Sequence, residues 1–532
     1  MTDATPSPAP KHKKTRWGLL IAVLVLAALR IAWIQTNEEL GESMQMMSTS
    51  IAVGLTLLAL AGWFVFFTAL RWRTRLLVPA IVVVLLVSLG FAVRFDGAQD
   101  GSGKPVIAWR WSPAVVPPDT RLTAPVVEPA SDEAVPVRFE TTPDDYPHFL
   151  GRGGHAVVDD VRLARDWSAN PPRQVWRQPI GAGFSSFAVV GDLAVTQEQR
   201  GDDELIVCYQ VPTGRPLWSH ANRVRFKDPT GDGPRATPTI DGQRVYALGA
   251  TGILDCLDGA TGELLWTHDT LAEHDLKNLE WGKSNSPLIY DELVIVTGGK
   301  SADGKSGPSL IAFDKTSGEQ VWQAGHDNAA YCTPELAVLA DRSQIVIVNA
   351  GSVSGHDPTD GKLLWEYAWP GQWPKVSQPV PLDGERLLVT AGYGLGAVLL
   401  KVEGDAESSL SPAEVWKSKK MKPQFANVVL RDGFIYGLDD GVLACVGLAN
   451  GERRWRKGRY GHGQILLVGD VLLIQAESGE VVLVEASPRR HHELTRFAAI
   501  EGKTWNNPAL SGRRLLVRND QEAACYELPL EQ

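Results

Sequence analysis

The chain has little cysteine for its size: five in 532 residues, none adjacent to another and none in a Cys-x-x-Cys spacing. That removes thiolate metal knuckles, dithiol redox motifs and a disulfide between neighbouring cysteines from the reading. No cluster of His and Cys has metal-ligand spacing, so no metal site is expected. The body of the protein also lacks positive charge. Nine basic and four acidic residues in 1–95 leave about +5 there, so the overall −10 implies about −15 for the remainder. An acidic body without a basic patch argues against nucleic acid as a partner. The string GYGLG (392–396) has no helix-forming stretch after it, so the dinucleotide fingerprint is not supported.

Long apolar runs are confined to the start of the chain, at 17–34, 51–70 and 76–93. Each meets the length of about 17–25 residues that a bilayer-crossing helix needs. A cleaved signal peptide would account only for the first. KHKKTR precedes the first run and RWRTR joins the second to the third, while the loop between the first two has no Lys or Arg. The positive-inside rule then puts the N-terminus in the cytoplasm and everything after residue 94 on the far side, which in a bacterium is the periplasm. The expected organisation is a three-helix anchor (1–94), a Pro-rich linker (95–143, eight prolines) and a folded body (144–532).

What the body has in abundance is Gly, Trp and repetition. A turn followed by a strand recurs as VPTGRPLW, GATGELLW, KTSGEQVW, PTDGKLLW and LANGERRW. The glycines are Gly214, Gly262, Gly318, Gly361 and Gly451; the tryptophans are Trp218, Trp266, Trp322, Trp365 and Trp455, each four residues on. The glycine separations are 48, 56, 43 and 90, so a degenerate copy is expected in the last gap, where Trp416 stands. A second marker, a short strand opening each unit (SSFAVVGD, ATPTIDG, NSPLIYD and so on), counts eight copies between residues 185 and 513. Period and composition predict an all-β, eight-bladed propeller of four-stranded antiparallel blades. The repeat Trp should fill the wedge between neighbouring blades. The chain ends on AACYELPL, a third strand without an outer partner; RQVWRQPI (173–180), with Trp176 in the repeat position, is predicted to supply it and close the ring.

Cys208, Cys256 and Cys445 each lie six residues before a repeat glycine, and Cys525 falls in the same slot. That slot suits a small buried residue, so free core thiols are expected; Cys332 alone should face the channel. A propeller binds where its opening strands converge. Polar or aromatic residues expected at that mouth are Ser185, Arg235, Asn285, Gln378, Asn427, His462 and Trp505, with Trp281 and Lys283 just upstream. Such a set suits either an anionic planar ligand or a plain solvated pore. Asp327 and Asp439–Asp440 are the carboxylates available as bases, and the Arg489–Arg490–His491–His492 run reads as a solvated charge cluster.

With these residues in hand, the sequence resembles the PQQ-like (quinoprotein) β-propellers and their Asp-x-x-Thr-Gly-x-x-x-Trp motif. Asp258, Thr261, Gly262 and Trp266 carry it in full; Asp314, Gly318 and Trp322, and Asp357, Gly361 and Trp365, carry most of it. The lead-in segment YPHFLGRGGHAVV strengthens the likeness, which covers about 144–532. The resemblance implies one of two activities. BamB-like propellers dock envelope proteins without a cofactor. Quinoprotein dehydrogenases oxidise alcohols or sugars with PQQ and Ca²⁺, and many stack the quinone on a disulfide of adjacent cysteines that this chain lacks. The leading expectation is a membrane-anchored scaffold with no catalytic residue; the alternative is a PQQ-dependent dehydrogenase.

Overall fold

The computed structural model describes residues 15–37, 40–98, 100–101, 103–112, 137–301, 307–404 and 410–531. Most of the predicted Pro-rich linker lies outside them. The chain divides into two compact units: Met1–Gly97 with Ser102–Val115, and Ala98–Gly101 with Val116–Gln532.

In the first unit, α1 (Trp17–Thr36), α2 (Glu42–Phe67) and α3 (Trp72–Ala92) are each long and apolar enough to cross a membrane. Most of their apolar side chains are exposed, and α3 has no buried residue. Helices of that kind need an apolar solvent. The second helix starts earlier than the apolar run because the polar stretch before it continues the helical turn, with Ser50 Oγ donating to the Met46 carbonyl at 2.9 Å. A two-stranded sheet of β1 (Val93–Ala98) and β2 (Pro105–Trp109) follows α3 directly, where an extended spacer was expected. Gly97 and Gly103, both at positive φ, flank its turn.

The second unit is an eight-bladed β-propeller. Its blades occupy residues 188–222, 239–269, 288–324, 335–368, 380–418, 428–459 and 464–498, and an eighth spans 509–527. Ahead of the first blade lie β3 (Val157–Val158) and β4 (Arg173–Pro179). The eighth sheet takes its outer strand, β4, from this N-terminal side, with Cys525 opposite Trp176. This is the predicted exchange. Blades 8 and 1 are also joined by Arg518, whose guanidinium donates to Thr196 Oγ1 (2.7 Å), Gln197 O (2.8 Å) and Gly181 O (3.0 Å).

The rim repeats one device. The repeat Trp faces the small-residue slot of the third strand: Cys208 pairs with Trp218, Cys256 with Trp266, Cys445 with Trp455 and Ala312 with Trp322. All five cysteines are buried and free. A β-bulge follows immediately in every blade, turning the outer strand's next residues out of register. Trp176, Trp218, Trp266, Trp322 and Trp416 then lie over the turn glycine of the next blade, whereas Trp455 reaches Ser487 O and Trp365 bonds Gln344 of its own blade. A Cβ at Gly262 would stand 2.6 Å from the Trp218 ring, one at Gly451 2.7 Å from Trp416, and one at Gly214 2.8 Å from Trp176. The indole N–H completes the dock, Trp218 Nε1 donating to Gly259 O at 2.8 Å and Trp416 Nε1 to Leu448 O at 2.8 Å. These glycines also hold φ of 66–73°, so both their bareness and their handedness are used. The motif's Asp organises the same turn, Asp258 Oδ1 accepting the Ala260 and Thr261 amides at 3.0 Å. Blade 7 departs from the pattern, because Thr495 occupies the Trp position. There Phe497 meets Tyr526 of blade 8 edge-on at 4.9 Å.

The lead-in segment runs across the turn ends of the inner strands. Tyr146 bridges Val189 of blade 1, Pro147 O accepts Ile240 N of blade 2, and His155 approaches Glu335 of blade 4 at 3.8 Å. Strand β3 then pairs in parallel with Leu467–Val468 of blade 7. Burial pushes the Glu335 carboxyl well up and the two imidazoles of this segment, His148 and His155, down.

Candidate functional site

At the opposite end, the eight opening segments form three layers that follow from one register. The deepest is a belt in which the amides of blades 1 to 5 each donate to the next blade's side chain. Ser186 N donates to Thr237 Oγ1 (3.2 Å), Thr237 N to Ser286 Oγ (3.0 Å) and Ser286 N to Thr333 Oγ1 (2.9 Å). Thr333 N then donates to Gln378 Oε1 (3.0 Å) and Gln378 N to Asn427 Oδ1 (2.9 Å). Gln464 bonds the Phe425 and Trp505 carbonyls, and Ser186 Oγ returns to Asn507 O. One residue earlier in each segment lies a wholly buried layer that includes Ser185, Asn285, Cys332 and Asn506.

Two residues before the belt stands the mouth itself: Phe184, Arg235, Ser284, Tyr331, Val376, Phe425, His462 and Trp505. All are half-buried except His462, which is 4% exposed.

The structure therefore distributes the seven predicted mouth residues over three depths. Arg235, His462 and Trp505 are at the mouth. Ser185 and Asn285 lie one layer in; Asn285 Nδ2 donates to the Ala330 and Cys332 carbonyls. Gln378 and Asn427 belong to the belt, where their polar groups tie blades together. Cys332 faces no channel: it is fully buried, its thiol directed at Ser377 O (3.2 Å), and burial pushes its pKa up. Lys283 is also buried, its ammonium donating to Thr297 O (2.6 Å), Thr297 Oγ1 (2.7 Å) and Gly298 O, and burial lowers its pKa to about 7.

Reading the sequence for polar groups missed Phe184, Phe226, Phe425, Tyr331 and Lys503. For Tyr331 the signal was present: aligning the segments on Pro238, Pro287, Pro334, Pro379 and Pro508, each just after its belt residue, marks the mouth position three residues earlier.

The mouth is polarised. Phe184 lies 5.2 Å from Trp505, and Trp505 lies 4.9 Å from Phe425 although blade 7 separates their blades, so these rings converge over the axis. Arg235 sits over Phe226 (4.4 Å) and Phe184 (5.5 Å), and the Lys503 ammonium over Trp505 (4.3 Å) and Phe184 (5.8 Å). Both cations spend their hydrogen bonds on backbone: Arg235 on Gly231 O (2.7 Å) and Gly233 O, Lys503 on Thr230 O. Neither forms an ion pair among the described residues. Burial lowers Arg235 to about 10 against the distant Asp228 and Asp232, and lowers Lys503 against Asp520 and Glu477. On the other side, Glu477 accepts from Trp505 Nε1 (2.7 Å), the His462 amide (3.0 Å) and the Gly101 amide (2.7 Å).

The carboxylates considered as bases are committed elsewhere. Asp439 is buried among Lys422 (2.9 Å), Arg456 (2.8 Å) and Arg453 (3.1 Å), and Asp327 accepts from Gly351 N and Ser352 Oγ. His491 is not merely solvated: its Nε2 is 2.8 Å from Tyr460 Oη and its ring packs on Trp455. Among the described residues no three His, Cys, Asp or Glu side chains converge as a metal-ligand group. Among the described residues the mouth offers no carboxylate cluster of the kind that holds Ca²⁺ in a quinone centre.

Fold and mouth together define a PQQ-like β-propeller. A sequence profile of the family described as outer membrane protein assembly factor BamB matches residues 164–281 and 202–457, more than half of the chain, and the chain belongs to that family. Among curated relatives, the quinoprotein alcohol dehydrogenase PedH of Pseudomonas putida is 21% identical over 225 residues, 41% of this chain and 33% of that protein. The outer membrane protein assembly factor BamB of Marinobacter adhaerens is 24% identical over 144 residues, 27% of this chain and 30% of that protein. The chain thus spans about a third of the length of the curated relatives it matches. Among solved structures, a europium-containing methanol dehydrogenase superposes with a TM-score of 0.53 at 10% identity, covering 73% of this chain and 99% of that one. The likeness at that identity is one of fold.

Proposed function

We propose that the protein is a membrane-anchored docking module of the cell envelope: three inner-membrane spans (1–94), a Pro-rich linker (95–143) and a periplasmic propeller (144–532) whose mouth binds a polypeptide partner. The carrying observation is the pair Arg235 and Lys503, two cations without ion-pair partners among the described residues, bracketing Phe184 in a ring of half-exposed aromatics. Desolvated cations beside flat apolar faces suit an acidic segment bearing aromatic or aliphatic side chains, which supplies the missing carboxylate and covers the rings. Membership in the BamB family supports a protein partner, and the charge flanking the helices supports the orientation.

The test is crosslinking in cells from a photoreactive residue at Phe226. A discrete envelope-protein adduct that Arg235→Gln/Lys503→Gln weakens at least tenfold is the expected result. The dehydrogenase relatives favour a second reading, PQQ with Ca²⁺ at the same mouth. Stoichiometric binding of PQQ and Ca²⁺ to the detergent-solubilised chain, with a raised melting temperature, would replace the first reading by the second.

A further inference from the structure

The anchor carries a feature that the spanning helices do not account for. Strand β2 returns to the end of α3: the Arg110 amide donates to Ala92 O at 2.9 Å, and Arg110 Nε donates to Val93 O at 3.1 Å. Arg94 Nη1 ties the same place to Ser112 O at 2.7 Å. Trp109 and Trp111 are therefore held level with the last turn of α3. They stack on each other at 5.2 Å and 13° on one face of the strand, 46% and 72% exposed, with Ile107 two residues further along that face at 63%.

A soluble protein does not leave two stacked indoles and an isoleucine in water without a partner. Here the neighbouring helix says what the partner is. The 21 residues of α3 rise about 31 Å, close to the thickness of a hydrocarbon core, so a spanning α3 puts Ala92 at the boundary between acyl chains and headgroups. Two hydrogen bonds from Arg110 leave the indoles no freedom to move away from that level.

We propose that Trp109, Trp111 and the exposed Arg110 between them form an interfacial anchor, bedded in the glycerol and phosphate zone of the outer leaflet. Indoles favour that zone because a flat apolar ring and a polar N–H suit a graded solvent, and a guanidinium there meets lipid phosphate. The device fixes the depth and tilt of α3 at the point where the chain leaves the membrane. It rests on the reading that the three helices span a bilayer.

The experiment is tryptophan quenching of the full chain in phosphatidylcholine vesicles whose acyl chains carry bromine at carbons 6 and 7. Six tryptophans belong to the anchor: Trp17, Trp33, Trp63, Trp72, Trp109 and Trp111. Trp109→Phe/Trp111→Phe keeps the apolar faces and should lower the bromolipid-quenchable emission by about a third. Trp33→Phe, within a span, serves as the positive control. If the double variant instead loses only emission that aqueous acrylamide quenches, or emission shielded from both quenchers by the propeller or a second copy, the interfacial anchor is overturned while the spans stand. If bromolipid quenches neither protein, the spanning reading itself fails.

Discussion

The rim and the mouth of the propeller are built from the same eight repeats and obey different rules. At the rim, one arrangement recurs: Trp over the next blade's glycine, a bulge behind it, and a small residue opposite. At the mouth, the equivalent positions read Phe, Arg, Ser, Tyr, Val, Phe, His and Trp, with no two neighbours alike. The difference teaches where each demand acts. A blade cannot bury both faces alone, so the rim interfaces face the same packing problem, and one solution serves at five of the eight. The mouth is shared by all blades and has no such symmetry requirement. Its residues are free to differ, and they form one aromatic-cationic side around Phe184 and one acidic side around Glu477.

If this division is right, rim and wall substitutions should unfold the protein and mouth substitutions should not. The largest expected effects are on buried groups. Trp218→Ala removes a wholly buried indole and should cost about 3–5 kcal/mol. Asp439→Ala leaves buried Lys422 with Asp440 alone, at 3.4 Å, removes the carboxylate that Arg453 and Arg456 share, and should cost about 3 kcal/mol. Chemical denaturation of the detergent-solubilised chain measures both. Next is Gly262→Ala, which forces a Cβ to a positive φ against the Trp218 ring and should cost about 1–3 kcal/mol. An unchanged midpoint would mean the dock is loose.

A smaller effect concerns pH. Burial, with the Asp255 charge adding to it, raises the Glu204 carboxyl to about 7, partly offset by the Ala250 amide that donates to it. The folded state therefore holds a proton that the unfolded chain releases near 4.5. The stabilisation from that proton is complete below about pH 4.5 and is lost as pH rises through about 7. Glu204→Gln should flatten the fall in melting temperature between those values. The smallest effect on stability, within about 1 kcal/mol, is expected for Arg235→Gln/Lys503→Gln, because two desolvated cations without ion pairs are removed. Partner crosslinking should collapse in the same variant. Unfolding by this pair would erase the distinction between rim and mouth.

Much of the rim was legible in the sequence because its causes are local. A turn glycine, an Asp that caps the turn and a Trp four residues on lie within one strand connection, and recurrence makes them visible. The cysteine slot followed from the same spacing. The Thr495 exception did not, since only strand pairing shows which residue faces Leu483. At the mouth, three of the seven expected residues stand there. The other four lie deeper because each opening segment runs inward: Ser185 and Asn285 stand one residue past the mouth position, and Gln378 and Asn427 two, so an error of one or two residues in aligning eight irregular loops exchanges surface for interior.

By itself the sequence determined the three long apolar helices and their charge asymmetry, the eight-fold repeat, the exchange that completes the last blade and the free core thiols. Each depends on residues close together or on a period. Only the tertiary structure decided that Phe184, Arg235, Phe425, Lys503 and Trp505 form one surface. Lys503 reaches the carbonyl of Thr230, 273 residues away, because the propeller brings the first and last blades together. Likewise, only the return of β2 onto α3 places Trp109 and Trp111 beside the last turn of that helix. Hydrogen bonds to distant backbone carbonyls set both arrangements, and no local pattern encodes them.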